Sequence, residues 1–316
     1  MPWRMSMQSD PFHSGEIEAQ ARAGEARSAQ RNSAALGGNI PGGALQFVRQ
    51  QQIAVLAREG PDGHLWCSVA FGPKEFLESS DDGKQLTVKT CLSSRTNEDP
   101  VWQTFEPGEQ VGVLLIELAT RRRLKVNGVA TLTDTKLIVA VTESFPLCPK
   151  YIQRRAVRFD GSTAAGPNVT TGFGQQLGAE QRQTISSADT FFVASTHEER
   201  GPDASHRGGL PGFIEFLPDN SIRIPDYPGN SMFNTFGNLL LDSRAGLVFV
   251  DFKRRVLLQL TGEAEVFWDQ SDAGGDTGGT KRLWHFRCHC WQESSLPSEV
   301  RGDLIEYSPF NPSPRK

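Results

Sequence analysis

The sequence has few cysteines, and none of them shows the spacing of a metal site or a disulfide framework. Five occur in 316 residues, an odd number with no Cys-x-x-Cys pair. Neither a disulfide-stapled fold nor a zinc ribbon is therefore indicated. We interpret the five as free thiols in a reducing compartment.

Long hydrophobic runs are also missing. The longer apolar stretches, such as residues 111–116 and 137–141, are far shorter than the roughly 20 residues that a membrane span requires. Residues 1–10 lack the apolar core of a signal peptide. The sequence therefore predicts a cytoplasmic protein without a membrane partner.

An excess of basic charge is the third missing feature. The 33 Lys and Arg residues are opposed by 37 Asp and Glu residues, which gives a formal charge of −4 and a pI of about 5.9. A dedicated nucleic-acid partner is not expected, because such proteins normally carry a basic surplus. With 37% hydrophobic residues and this length, the chain has enough apolar material for one large domain or two ordinary ones.

The chain divides by composition into four segments. Residues 1–43 are rich in Ala, Gly, Ser, Gln and Arg and predict an arm or linker that buries little surface. Residues 44–159 and 179–316 show the patterns of β-strands separated by the turn formers Gly, Pro and Asp, and residues 160–178 are predicted to form a linker. We also predict helices near residues 44–51, 133–142 and 179–187.

The two strand-rich segments share signals in the same order. GPDG at 60–63 and GPDA at 201–204 are 141 residues apart, and the phenylalanines of GPKEF at 72–76 and GLPGF at 209–213 are 137 apart. Gly128 of LKVNGVA and Gly262 of LLQLTGEA are 134 apart. Ordered matches with a slowly changing offset indicate two tandem copies of a small antiparallel β-barrel.

The second copy contains a candidate phosphate site at residues 203–209, Asp-Ala-Ser-His-Arg-Gly-Gly. Arg207 offers a bidentate fork, Ser205 and backbone N–H groups offer further donors, and His206 lies between them. A polar hairpin turn with a solvated Arg explains the same residues equally well. Both interpretations stay open at this point.

A second candidate stretch, residues 225–238, follows a predicted strand. Asn230, Asn234, Asn238 and Thr235 can form neutral hydrogen bonds to a flat heteroaromatic ligand or to its phosphate. Asn, Gly and Pro are also common turn formers, so ordinary loop chemistry is the alternative. The position of this stretch after residues 203–209 favours a site.

Two other motifs favour structural roles. Cys288, His289 and Cys290 lie in an alternating stretch, so one strand would place His289 on the opposite face from the two thiols, away from a shared metal. No metal site is predicted. Arg121, Arg122 and Arg123 are typical of a solvated or ligand-flanking strand edge.

These stretches together resemble the pyridoxamine 5′-phosphate oxidase-related, FMN-binding split-barrel family, in particular its longer two-copy flavin-nucleotide-binding members. The resemblance lies in DASHRGGLPGFIEF, IPDYPGNSMFNTFGNLLLDSRAGLVFVDF and LLQLTGEA of the second copy, and in IELATRRRLKVNG and CPKYIQRR of the first. The amino-terminal PFHSGEIEAQARAG also resembles the usual start. The chain departs from the pattern at Lys74-Glu75 and Pro146-Leu147, which leaves a cofactor role of the first copy open.

The resemblance implies a mainly β fold of tandem FMN-binding split barrels with peripheral helices. It implies FMN as cofactor, a small-molecule substrate or electron donor as partner, and oxidoreductase activity on an unknown substrate. A non-catalytic flavin carrier and a ligand-free interaction module remain alternatives, as do haem and deazaflavin ligands. Pairing of the two copies within one chain and a homodimer are both compatible with it. The cofactor-binding residues so predicted are Ser205, His206, Arg207, Asn230, Asn234, Thr235 and Asn238.

Overall fold

The structure, a computed structural model, describes residues 10–103, 105–160 and 169–312. The helices of this part are α1 (Ser14–Arg22), α2 (Ala26–Asn32), α3 (Leu45–Gln50), α4 (Ala179–Ser186) and α5 (Asn234–Leu241). No helix within these ranges has the length and apolarity to cross a membrane.

Strands dominate both halves of the chain. Those of the first half are β1 (Ile53–Glu59), β2 (Leu65–Phe71), β3 (Leu77–Ser79), β4 (Gln85–Lys89), β5 (Gln110–Glu117), β6 (Arg122–Leu132), β7 (Lys136–Pro146) and β8 (Arg154–Phe159). Those of the second are β9 (Val169–Gly174), β10 (Thr190–His197), β11 (Gly201–Gly208), β12 (Glu215–Phe216), β13 (Ile222–Pro225), β14 (Arg244–Asp251), β15 (Val256–Phe267), β16 (Leu283–Ser295) and β17 (Val300–Glu306).

The two large sheets have the same strand order. The first runs β2-β1-β5-β6-β7-β4-β3 and the second β11-β10-β14-β15-β16-β13-β12, with β9 added beside β16. Counted from β1 in the first half and from β10 in the second, the two orders are identical. The mainly β, tandem split-barrel fold predicted from the sequence is confirmed.

A bulge at equivalent glycines supports the alignment of the two halves. The register of β6 on β7 shifts just before Gly128, and that of β15 on β16 shifts just before Gly262. A Cβ at Gly128 would lie 2.1 Å from the carbonyl oxygen of Ala140, and one at Gly262 would lie 2.0 Å from that of Arg287. Each glycine is thus required because the neighbouring strand approaches too closely for a side chain.

The barrels pack against each other through a shared apolar layer. On β1, Ala54 and Leu56 face the core of the first barrel, whereas Ile53, Val55 and Ala57 face the layer between the barrels. Period-two alternation therefore places buried side chains on both faces of one strand. This explains why β1 is buried at every position except its last.

The contacts between the barrels are reciprocal. Gly112 on β5 lies against β11, where its Cβ would meet the carbonyl oxygen of Pro202 at 2.6 Å. Gly246 on β14 lies against β2, where its Cβ would meet the carbonyl oxygen of Leu65 at 2.7 Å. The two halves of one chain therefore contact each other as two subunits of a symmetric dimer do.

Three sequence predictions need correction. The helix predicted at 133–142 is wrong, because Lys136–Pro146 forms strand β7 and Thr133 makes the turn that precedes it. The predicted linker 160–178 contains β9, which pairs with β16; residues 161–168 lie outside the described ranges. The amino-terminal segment 1–43 is not a free arm where it is described, since Phe12, Ala19 and Ile40 are buried.

Candidate functional site

A cleft between the two barrels collects most of the predicted site residues. The space between its walls, including the open mouth, is about 880 Å³. The first half contributes β6 and the segment that follows β7, and the second half contributes β11, the end of β13 and the start of α5. The polar and aromatic side chains lining it are Arg123, Lys125, Cys148, Lys150, Tyr151, Ser205, His206, Arg207, Phe213, Asp226, Tyr227, Asn230, Ser231, Phe233, Asn234, Thr235, Phe236 and Arg282.

Ser205, His206 and Arg207 lie on a strand rather than a hairpin turn. They belong to β11, which pairs with β10 along its whole length. The hydroxyl of Ser205 accepts a hydrogen bond from Lys125 Nζ at 3.2 Å and lies 3.2 Å from Asp203 Oδ2. The strand therefore brings the second barrel's residues against β6 of the first.

Two guanidinium groups, Arg123 and Arg207, meet in this cleft. Burial, together with the neighbouring charge of Arg207, lowers the pKa of Arg123 to about 10. Burial also lowers the pKa of Arg207, which Asp226 and Asp203 partly offset. The cleft thus holds two cations near each other in a poorly solvated place, where an anion would stabilise both.

Neither guanidinium forms a direct ion pair with a carboxylate within the described part of the chain. Arg123 Nε donates to the carbonyl oxygen of Cys148 at 2.8 Å, and Arg207 Nη1 donates to that of His206 at 3.1 Å. Arg207 Nε is buried and has no hydrogen-bond partner among the described residues. A buried donor without an acceptor costs free energy, so this atom points to a bound ligand.

The other two buried cations of the cleft are paired. Lys125 Nζ donates to Asp203 Oδ2 at 2.7 Å, and Arg282 Nε donates to Asp226 Oδ2 at 2.9 Å. Arg282 also lies 3.3 Å from Glu25 of the amino-terminal segment. Their charges are therefore largely compensated, in contrast to those of Arg123 and Arg207.

His206 presents a neutral imidazole. Burial lowers its pKa well below 6.5, and the charges of Arg123 and Arg207 lower it further. Its Nε2 is buried and without a partner in the described ranges, while its ring lies edge-on to Phe192. A neutral imidazole nitrogen can either donate or accept a hydrogen bond from a ligand.

The stretch 225–238 is part loop and part helix. Its last residues begin α5, whose N-cap residue Phe233 adopts a left-handed conformation with φ 63° and supplies no side-chain cap. Thr235 is buried in the first turn of the helix and lines the cleft. Uncapped N–H groups at a helix start favour anions, although α5 alone would not define a site.

The three predicted asparagines behave differently. Asn230 lines the cleft, but its Oδ1 accepts from Met232 N at 3.2 Å and so shapes the loop. Asn234 also lines the cleft, while its Nδ2 donates to Glu16 of α1. Asn238 is not among the cleft-lining residues, because its amide group bonds His13 and Ser195 at 3.0 Å each.

Two tyrosines close one side of the cleft. The rings of Tyr151 and Tyr227 have centroids 4.9 Å apart, and the Tyr151 hydroxyl donates to the carbonyl oxygen of Pro228 at 3.1 Å. Burial raises the pKa of Tyr151 to about 12, so its hydroxyl stays protonated at neutral pH. The pair joins the first half of the chain to the loop of the second.

Sequence reasoning missed the contribution of the first half. Arg123, Lys125, Lys150 and Tyr151 all line the cleft, yet only Arg123 was singled out, as a strand-edge residue. The available signal was the family-like character of the stretches 116–128 and 148–155, which contain these four residues.

Comparison with known proteins yields one family model and several weak structural matches. A structure of HupZ from Group A Streptococcus matches at 12% identity, covering 41% of this chain and 99% of that one, with a TM-score of 0.29. HutZ, the haem storage protein of Vibrio cholerae, matches at 10% identity over 39% and 96%, with a TM-score of 0.28. A pyridoxamine 5′-phosphate oxidase-related, FMN-binding protein of Nostoc punctiforme matches at 10% identity over 42% and 100%, with a TM-score of 0.29. At these values we draw no functional conclusion from the structural matches.

No curated protein matches the chain significantly. The family model described as pyridoxamine 5′-phosphate oxidase matches residues 177–276. That range includes β11, β13 and the start of α5, which supply the second half's share of the cleft. Over residues 177–276, the second barrel of this chain is therefore similar to the family described as pyridoxamine 5′-phosphate oxidase.

Proposed function

We propose that this chain binds FMN in the cleft between its barrels and acts as a flavin-dependent oxidoreductase. The observation that carries the proposal is the pair of unneutralised guanidinium groups, Arg123 and Arg207, with one buried Nε that lacks an acceptor. Guanidinium groups bind phosphate through paired, charge-assisted hydrogen bonds. The donor set therefore fits the phosphate of FMN.

The remaining cleft residues fit the rest of such a ligand. Tyr151, Tyr227 and Phe233 offer aromatic and apolar surface to a flat ring system. His206 Nε2 and Thr235 offer polar groups that can fix its orientation. FMN, when bound, supplies the hydride and electron transfer chemistry, and these residues hold it, orient it and limit access of water.

The binding proposal is tested by the absorbance spectrum of freshly purified protein together with mass spectrometry of the released ligand. A flavin spectrum and the mass of FMN are expected. A haem or deazaflavin spectrum contradicts the proposal.

Titration of apoprotein with FMN and with riboflavin isolates the phosphate. Riboflavin should bind much more weakly, because it leaves Arg123 and Arg207 without their anion. Equal affinities would show that the phosphate contributes nothing and would contradict the assignment of the two arginines.

The oxidoreductase proposal needs a kinetic experiment. Anaerobic stopped-flow mixing of holoprotein with NADH, NADPH and small organic donors should reduce the bound flavin faster than it reduces free FMN. Hydride transfer between stacked rings depends mainly on distance and orientation, so a titrating catalytic side chain is not required. Reduction no faster than that of free FMN would favour a flavin carrier.

A further inference from the structure

We propose that the chain binds a single ligand. The internal repeat creates a second position equivalent to the cleft, with the roles of the two halves exchanged, and this counterpart is closed by the chain's own Asp99. Only the identity of the ligand rests on the proposed function. The proposal itself rests on a residue-by-residue comparison of the two equivalent positions.

Two pairs of glycines, Gly72 with Gly209 and Gly128 with Gly262, show which residues of the two halves are equivalent. Gly72 and Gly209 follow β2 and β11, and a Cβ at either would meet the ring of the phenylalanine four residues later at 2.5 Å. Ser68 and Ser205 each precede their glycine by four residues and are therefore equivalent.

Gly128 and Gly262, which follow the equivalent bulges, align β6 with β15. Lys125 and Gln259 each precede their glycine by three residues. In the cleft, Lys125 of the first half reaches Ser205 of the second. At the counterpart, Gln259 of the second half and Ser68 of the first both donate hydrogen bonds to Asp99, so the two positions draw on equivalent strands with the halves exchanged.

A further pair of contacts extends the alignment past β4 and β13. The amide of Asp226 donates to the carbonyl oxygen of Arg282 at 3.1 Å, and the amide of Thr90 donates to that of Thr135 at 2.8 Å. Thr135 therefore stands where the cleft has Arg282.

None of the four cationic residues of the cleft has a cationic equivalent at the counterpart. Arg123, Lys125, Arg207 and Arg282 of the cleft correspond to Leu257, Gln259, Ala70 and Thr135. An anionic ligand would meet no positive charge from these residues. Desolvating a phosphate there would not be offset.

Asp99 lies in the middle of this neutral counterpart. Its carboxyl group accepts hydrogen bonds from Ser68 Oγ, from Gln259 Nε2 at 3.1 Å and from the amide of Val101 at 3.0 Å. Asp99 is 4% exposed, and Ser68 and Gln259 are fully buried. An acidic side chain of the protein thus occupies the donor set that would otherwise face a ligand.

The neighbouring residues complete the closure. The loop that lines the cleft between β13 and α5, residues 226–233, is called the cleft loop. In the first half, the segment between β4 and β5 takes its place, and Val101 and Trp102 of that segment are buried within the core of the first barrel. The cleft loop instead keeps Tyr227 and Asn230 partly exposed. The cleft is therefore open and cationic, whereas its counterpart is filled by side chains and is neutral apart from the carboxyl group of Asp99.

The first test is stoichiometry. Titration of apoprotein with FMN should reach its end point at one FMN per chain, and Arg207→Ala should weaken that single phase without revealing a second. Two FMN per chain would overturn the inference while supporting the proposed function. Absence of any FMN binding would contradict the proposed function and leave the next test to decide the inference.

The second test does not need FMN. Asp99→Ala leaves the donors of Ser68, Gln259 and Val101 unpaired around a carboxyl-sized space, so sodium formate should raise its midpoint of thermal unfolding by several degrees. Wild-type protein and the matched control Asp242→Ala, at a carboxylate held by the adjacent Arg244, should show no shift beyond that of sodium chloride at equal concentration.

If Asp99→Ala does not fold, Asp99→Asn decides. It keeps an acceptor for the donors and should fold with one FMN per chain. A second FMN in that variant, or no formate-specific shift in a folded Asp99→Ala, would overturn the role assigned to Asp99.

Discussion

At the scale of single residues, the cleft is distinguished by charge that is left uncompensated. Other arginines, such as Arg58 with Glu109 and Arg155 with Asp189, form direct ion pairs with a carboxylate. Arg207 instead lies near Arg123 and a neutral His206, and Asp226 and Asp203 offset the effect of its burial only in part. A bound anion would stabilise this arrangement, and this singles out the two arginines for mutation.

Replacement of Arg207 by alanine should weaken FMN binding by roughly 2 to 4 kcal/mol, because a charge-assisted contact in a partly desolvated cleft is lost. Isothermal titration or fluorescence quenching of the apoprotein measures the change. Asn234→Ala and Thr235→Ala should cause smaller losses, since neutral hydrogen bonds contribute less.

Arg122→Ala is the matched control. Arg122 is next to Arg123, but it is exposed and paired with Glu117, so its loss should leave affinity unchanged. An Arg207→Ala variant with wild-type affinity and melting temperature would assign that guanidinium to ordinary solvation.

Glu16 gives a pH-dependent prediction. Burial raises its pKa from 4.5 to about 7, although His13 N, Asn234 Nδ2 and Arg200 favour the charged form. The folded protein therefore holds a proton that the unfolded chain releases above pH 4.5. Its contribution to the free energy of unfolding should fall as pH rises from about 4.5 to 7, by at most roughly 3 kcal/mol.

The measurement is urea unfolding of wild type and Glu16→Gln at several pH values. The variant should gain stability relative to wild type as pH rises from about 4.5 to 7, and the difference should level off above that. Burial lowers the pKa of His13 to about 4, which acts in the opposite direction below pH 6.5, so only the difference between the two curves reports on Glu16. A difference that does not change with pH would contradict the prediction.

At the scale of elements, the amino-terminal helices hold the cleft loop in place. Gln20 of α1 donates to the carbonyl oxygen of Met232 at 3.1 Å, and Asn32, the last residue of α2, donates to that of Asn230 at 2.6 Å. Glu16 accepts from Asn234 at the start of α5. The loop lies between these contacts and the second barrel, so its shape depends on a segment more than 190 residues away in sequence.

The double variant Gln20→Ala with Asn32→Ala should therefore lower FMN affinity by about 3- to 30-fold, because two hydrogen bonds of about 1 kcal/mol each order the loop before binding. Gln30→Ala, an exposed side chain on α2, should change nothing. Wild-type affinity in the double variant would show that the loop is ordered by the barrel alone.

At the scale of the whole molecule, the reciprocal packing of the barrels makes Gly112 and Gly246 a matched pair of sites for mutation. Gly112 closely contacts the backbone of β11 at Pro202 and Asp203, just before the cleft residues of that strand. Gly246 closely contacts the backbone of β2 at Leu65 and Cys67. The backbone contacts are equally close, but only the first lies beside the open cleft.

Gly112→Ala and Gly246→Ala should each lower the free energy of unfolding by about 1 to 3 kcal/mol, since an added Cβ would overlap backbone atoms. Only Gly112→Ala should also weaken FMN binding, because it displaces β11. Chemical unfolding and FMN titration of both variants separate the two effects. Equal losses of affinity would mean that the cleft responds to general loosening of the interface.

Local patterns predicted most elements for a physical reason. The sequence predicts strands at 53–58, 66–71, 110–118 and 123–131, because short apolar or alternating runs bounded by turn formers are typical of buried strands. Strands β1, β2, β5 and β6 begin and end within one residue of these ranges. The helix predicted at 133–142 is wrong because that prediction places a helix start at Thr133. Thr133 instead turns the chain by bonding Lys136, and the β-branched residues that follow pair with β6.

The order of short motifs in the sequence is enough to predict the internal repeat and the chemical types at the site: an Arg, a His and a Ser on one stretch, with polar amides on the next. Which of these residues meet depends on how the two barrels pack. Arg123 and Lys125 come close to β11 because the sheets pack across an apolar layer, a contact that no local pattern encodes. The packing of the two halves at that interface, rather than residue type, places Arg207 near Arg123 and places Asp99 beside Gln259 at the equivalent position.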